Sequence, residues 1–84
     1  MLHARADYQR IQDPLNLIKR DEPVALFRGQ DKHAAALVRI YADMVEKDGG
    51  DPDIVSLCRA HANLMEAWPK KKSPDLVNKD DPAP

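Results

Sequence analysis

The sequence predicts an all-α protein: a helical hairpin preceded by a short N-terminal helix and an extended segment, and followed by a disordered C-terminal tail. Three observations carry that reading. Two stretches of helical periodicity flank the turn sequence Asp48-Gly49-Gly50-Asp51. The one strand-like run, Val24 to Phe27, has no visible partner elsewhere in the chain. The last fifteen residues, KKKSPDLVNKDDPAP, combine charge and three prolines with only two sizeable apolar side chains, too little to offset the entropy of ordering.

In chain order, residues Ala4 to Gln12 can form a short helix with Tyr8 and Ile11 on one side. Asp13-Pro14 ends it, because the residue before a proline avoids helical dihedrals. Leu15, Leu17 and Ile18 then read as a turn or a second small helix. The run Val24-Ala25-Leu26-Phe27, bounded by Pro23 and Gly29, reads as an extended segment lying over the hairpin.

The hairpin helices are expected near Asp31 to Lys47 and Pro52 to Trp68. Asp31 and Asp51 suit N-caps, Pro52 suits a first helical turn, and Gly49-Gly50 supply the positive φ that ends the first helix. On the first helix Ala34, Leu37, Tyr41 and Met44 form an apolar stripe opposite Arg39, Asp43, Glu46 and Lys47. On the second, Ile54, Leu57, His61, Leu64 and Trp68 stand opposite Arg59, Asn63 and Glu66. At an offset of twenty residues the helices align in phase, Leu37 with Leu57, Arg39 with Arg59, Ala42 with Ala62, Met44 with Leu64 and Glu46 with Glu66. A single pair falls short of the repeats a solenoid needs. With Val38, Ile40 and Val45, and with Cys58, Ala60 and Met65, each apolar arc is wider than one packed neighbour accounts for. The second flank must be covered by the N-terminal region or by another copy of the chain, and a homo-oligomer is the expectation.

With 84 residues the chain makes one small domain, expected over residues 1–69 with a flexible tail over 70–84. A domain near this size buries only roughly 60% of its unfolded surface, so its core is small. Thirteen basic and fourteen acidic side chains give a net charge of -1, which argues against duplex nucleic acid as a partner. No stretch approaches the roughly 20 apolar residues of a membrane span, and no export signal is apparent at the start. The single cysteine, Cys58, reads as a packed thiol in a reducing cytoplasm.

Arg28-Gly29-Gln30-Asp31-Lys32-His33 places cationic side chains, the Gln30 amide and backbone N–H groups around an expected helix N-terminus. Unsatisfied donors and the helix dipole favour an anion there, although Asp31 competes as an ordinary cap. Trp68, followed by Lys70-Lys71-Lys72, offers an aromatic face beside positive charge, or else simply closes the hairpin above a solvated lysine run. Arg28, Gln30, Lys32, His33 and Trp68 are thus the candidate ligand-binding residues. Cys58 and His61 stand three apart on one helical face, but a structural zinc site wants four ligands, and His61 reads as a core histidine. No nucleophile or carboxylate sits with a plausible base, so neither catalysis nor a cofactor or metal is expected.

The runs DEPVALFRGQDKHAAALVRIYADMV and HANLMEAWPKKKSPDL resemble a family of short uncharacterised proteins met in bacteriophage and prophage genomes. The resemblance implies action in a host bacterial cytoplasm, on host machinery. Small phage proteins of this kind look like inhibitors of a host protein or like sponges for a nucleotide signal. The expectation is a non-enzymatic binding protein that sequesters an anionic nucleotide-derived signal to counter antiviral defence. The alternative is an inhibitor of a host defence protein, or a small structural phage protein, acting through an exposed apolar helical surface.

Overall fold

A computed structural model describes Leu2, His3 and residues 13–75. The chain divides into two compact units, one of Met1–Leu26 with Asp75–Pro84 and one of Phe27–Pro74. The expected N-terminal helix over Ala4 to Gln12 and the tail beyond Asp75 lie outside the described residues.

In the first unit, β1 (Leu2–His3) and β2 (Pro23–Val24) form a minimal parallel pair, Leu2 opposite Pro23 and His3 opposite Val24. Pro23 thus begins a strand that does find a partner, one too short to show any alternation in the sequence. The segment expected over the hairpin divides after Leu26, so that only Phe27 belongs to the hairpin unit. Between the strands, Asp13 organises a turn. Its two carboxylate oxygens accept from the backbone N–H groups of Leu17 and Ile18, each at 3.0 Å, while its carbonyl accepts from Asn16 at 3.0 Å. Asn16 adopts the left-handed φ of 52° that asparagine tolerates better than most residues.

The second unit is the hairpin of α1 (Ala34–Lys47) and α2 (Pro52–Ala67), packed against each other as expected. The link between them is a C-terminal cap of two backbone bonds. Gly49, at φ 73°, donates to the Glu46 carbonyl at 3.1 Å, and Gly50 donates to the Val45 carbonyl at 2.9 Å. At Gly50 an added Cβ would meet Val45 Cγ1 at 2.6 Å, so the turn needs its lack of a side chain. Asp51 then caps α2, its carboxylate accepting from Asp53 N–H at 2.9 Å, with Pro52 in the first turn.

The helices pack on a different stripe from the one the large apolar residues mark out. Ala34, Ala42 and Ala62 are 0% exposed, and Val55 and Met65 complete the buried set, with Val38, Val45 and Cys58 half-buried around them. Leu37, Tyr41, Met44, Ile54, Leu57, Leu64 and Trp68, expected to face the partner helix, are all exposed, as is His61, so the core-histidine reading is corrected. The physical reason lies in residue size and charge. Alanines let the two helices approach closely, and that same approach brings Arg39 and Arg59 within reach of carboxylates on the opposite helix.

Candidate functional site

The helix entrance, where sequence reasoning places an anion site, is a clamp between the two ends of the hairpin unit. Helix α1 starts at Ala34, three residues later than expected, and Asp31 heads the turn leading into it rather than capping it directly. Asp31 Oδ1 accepts from His33 N–H at 2.8 Å, and the Asp31 carbonyl accepts from Ala34 at 3.1 Å. Asp31 N–H donates to the Arg28 carbonyl at 3.0 Å, and Lys32 N–H to the Lys72 carbonyl at 3.1 Å. The four successive N–H groups of residues 31–34 are therefore all engaged by the chain itself. The expectation of free backbone donors at this point is corrected, and the reason is that a local carboxylate and a distant strap reach them first.

The strap is the lysine run. Lys72 N–H donates to the Gln30 carbonyl at 2.8 Å, completing a parallel bridge between Asp31 and Lys72. The Lys71 ammonium donates to the Gly29 carbonyl at 2.8 Å and to the Met65 carbonyl. Met65 O also receives Trp68 N–H, so a carbonyl left over in the last turn of α2 is satisfied twice. Lys71 and Lys72, expected as part of a solvated and mobile stretch, are thus bonded to the loop before α1. Charged donors near a helix C-terminus are favoured by its dipole, and that cue was present in the sequence.

Of the five candidate ligand residues, the fold brings Trp68 to the entrance loop. A Cβ on Gly29 would lie 3.4 Å from Trp68 Cβ and 3.6 Å from Met65 Cα, so the Gly29 backbone runs directly along the end of α2. Trp68 remains 56% exposed, and Lys32 and His33, which follow the Gly29 loop in the chain, are exposed too. Gln30, by contrast, is 8% exposed and is tied to the strap through its carbonyl, and Arg28 is half-buried. Among the described residues no group of three or more His, Cys, Asp or Glu is placed to hold a metal ion.

The remaining surface of the hairpin is divided between two flanks. On one, Arg39 makes a two-point pair with Glu66 at 3.0 and 3.2 Å and donates to Asn63 Oδ1 at 3.0 Å. Arg59 makes the same pair with Glu46 at 3.1 and 3.2 Å and donates to Asp43 Oδ1 at 2.9 Å. The Arg59 hydrogen bond and charge lower the Glu46 carboxyl below its ordinary value, and Glu46 with Asp43 raises the Arg59 guanidinium in return. On the other flank, Leu37, Ile40, Tyr41 and Met44 of α1 and Ile54, Leu57, Leu64 and Trp68 around α2 are each between 41% and 68% exposed. No Asp, Glu, Lys or Arg stands among these eight positions, but the exposed His61 shares the α2 stripe between Leu57 and Leu64. Sequence reasoning identified the width of the apolar arcs but not which part of each arc the partner helix leaves open.

Comparison of the chain with protein-family models, with curated proteins and with solved structures gives no match in any of the three. Among the described residues, no helix is long and apolar enough to cross a membrane.

Proposed function

We propose that this protein is a non-enzymatic binding protein whose working surface is the apolar flank of its hairpin. The observation that carries the reading is the segregation itself. Charged side chains pair across one flank, while eight large apolar side chains stand substantially exposed on the other. Contiguous exposed apolar surface on a small domain marks an interaction site more often than a packing accident. A helix pair presenting such a stripe is suited to another helical surface, which can interdigitate with it.

Photo-cross-linking in bacterial cells expressing the full chain tests this directly. A benzophenone side chain at Leu57 or Leu64 is expected to give discrete protein adducts, and the same group at Asn63, on the charged flank, is expected to give none. Equal adducts from all three positions, or none from Leu57 and Leu64, would contradict the reading.

The nucleotide-sponge reading ranks second, supported by the seating of half-exposed Trp68 against Gly29 in the loop that leads to the exposed Lys32 and His33. It is weakened by the engagement of the N–H groups of residues 31–34. Calorimetry against cyclic and linear nucleotides separates the two, because a sponge requires tight stoichiometric binding that Trp68→Ala abolishes, and a protein-binding flank requires none.

A further inference from the structure

Resting on the reading of the apolar flank as the working surface, we infer that its occupant is a second copy of this chain, the two hairpins closing into a four-helix bundle. Three features of the molecule lead there. The first is the poverty of the internal core. Among the described residues, three of the five buried apolar side chains are alanines and no large side chain is fully buried. A helical domain with so little inside gains the missing burial by association. The second is area. A standard interface takes about 800 Å² from each partner, and eight large apolar side chains at roughly half exposure offer surface of that order.

The third feature is symmetry. The ion pairs show that α1 and α2 are related by an approximate two-fold axis, since adding twenty to Arg39 and subtracting twenty from Glu66 and Asn63 gives Arg59, Glu46 and Asp43. The same operation exchanges Leu37 with Leu57 and Met44 with Leu64, the centre of the apolar flank, while Tyr41 falls on His61 and Trp68 on Asp48 at its margins. A closed dimer needs a surface complementary to itself, and a flank already patterned by a two-fold can meet its copy in register. The eight apolar positions carry no Asp, Glu, Lys or Arg, so no like-charge contact between them opposes the pairing, and the exposed His61 beside Leu57 and Leu64 is the polar side chain that the second copy accommodates. The charged flank then remains outermost, its pairs already complete within each copy.

Sedimentation velocity on the full chain, from low to high micromolar concentration, tests the inference. The expected result is a reversible shift from the 9.5 kDa monomer to twice that mass. Leu57→Glu and Met44→Glu, both at well-exposed positions that a folded monomer tolerates, are each expected to weaken the dimer on the order of 100-fold or more while circular dichroism stays helical. A wild-type chain that remains monomeric throughout overturns the inference, and so does a dimer indifferent to both substitutions. An apolar dye then separates its failure from that of the underlying reading. A monomer whose dye binding is abolished by Leu57→Glu has an open flank for a different protein, whereas a monomer that binds no dye loses both.

Discussion

Arg39 of α1 and Glu66 of α2 face each other in a two-point pair, and Arg59 of α2 with Glu46 of α1, each offset by twenty in sequence and exchanged between the helices, repeats it. Asn63 and Asp43 complete the correspondence by each accepting from the same arginine nitrogen, Nη2. Two equivalent pairs therefore join the hairpin at separate heights on one side, both compatible with the one helix rotation that the close alanine packing sets. That rotation turns the alanine stripe inward and leaves the leucine-rich stripe outside.

A double-mutant cycle on Arg39→Ala and Glu66→Ala measures one pair. The expected coupling is about 0.2 to 1 kcal/mol in denaturant unfolding, the range for exposed pairs, and it should shrink with added salt. Zero coupling in low salt would mean that the pair adds nothing to the stability of the hairpin.

The second pair should be visible in the pH dependence of stability. Glu46 is held below its ordinary value of 4.5 by the Arg59 hydrogen bond first and the Arg59 charge second. For a carboxyl depressed in the folded state, the stabilisation is whole above the unfolded value and is lost as pH falls through the folded one. The unfolding midpoint should thus decline as the solution is acidified below that ordinary value, and Glu46→Gln should flatten the decline. An unchanged acid profile in Glu46→Gln would show that the pair carries no linkage.

Ala42 and Ala62 test the packing that rotation creates. Leucine at either place adds atoms where nothing is exposed, and overpacking of this kind costs about 1 to 3 kcal/mol. Leu64→Ala, on the exposed flank, should cost little in a chain held monomeric by Leu57→Glu. Reversal of that order in thermal or denaturant melts would place the helix interface on the wrong stripe.

Much of this arrangement was legible in the residues. The helix limits followed from Asp51-Pro52 and Gly49-Gly50, because caps and turns act over a few residues and leave a local signature. The offset of twenty was visible too, but only the antiparallel packing turns Arg39, Arg59, Glu46 and Glu66 into reciprocal pairs. Periodicity located a wide apolar arc on each helix without saying which half is touched. Side-chain size argued for burying leucines, whereas backbone approach at the alanines decided it. At the helix entrance the six residues from Arg28 to His33 showed the cations and Asp31, but Lys71 and Lys72 stand some forty positions away, and a contact over that separation leaves no local pattern. The parallel pairing of Leu2 with Pro23 was hidden for the same reason, compounded by its length of two residues.

Lys71→Met removes the ammonium that joins the Gly29 and Met65 carbonyls while keeping most of the side-chain stem. A loss of about 1 kcal/mol is expected for this solvent-facing clamp, smaller than for a buried charged hydrogen bond, with faster hydrogen exchange at Lys32 and Lys72. An unaltered exchange pattern would mean that the backbone bridge holds without the ammonium.

A second chain is expected to cover the flank bearing Met44 and Leu57, and melting as a function of concentration tests that most directly. Association that involves only folded chains makes the melting temperature rise with protein concentration. Across about a hundredfold range, the wild-type chain should therefore melt progressively higher, and Leu57→Glu should melt at one temperature throughout. A wild-type melting temperature independent of concentration, or a Leu57→Glu chain that shows the same rise as the wild type, would contradict it.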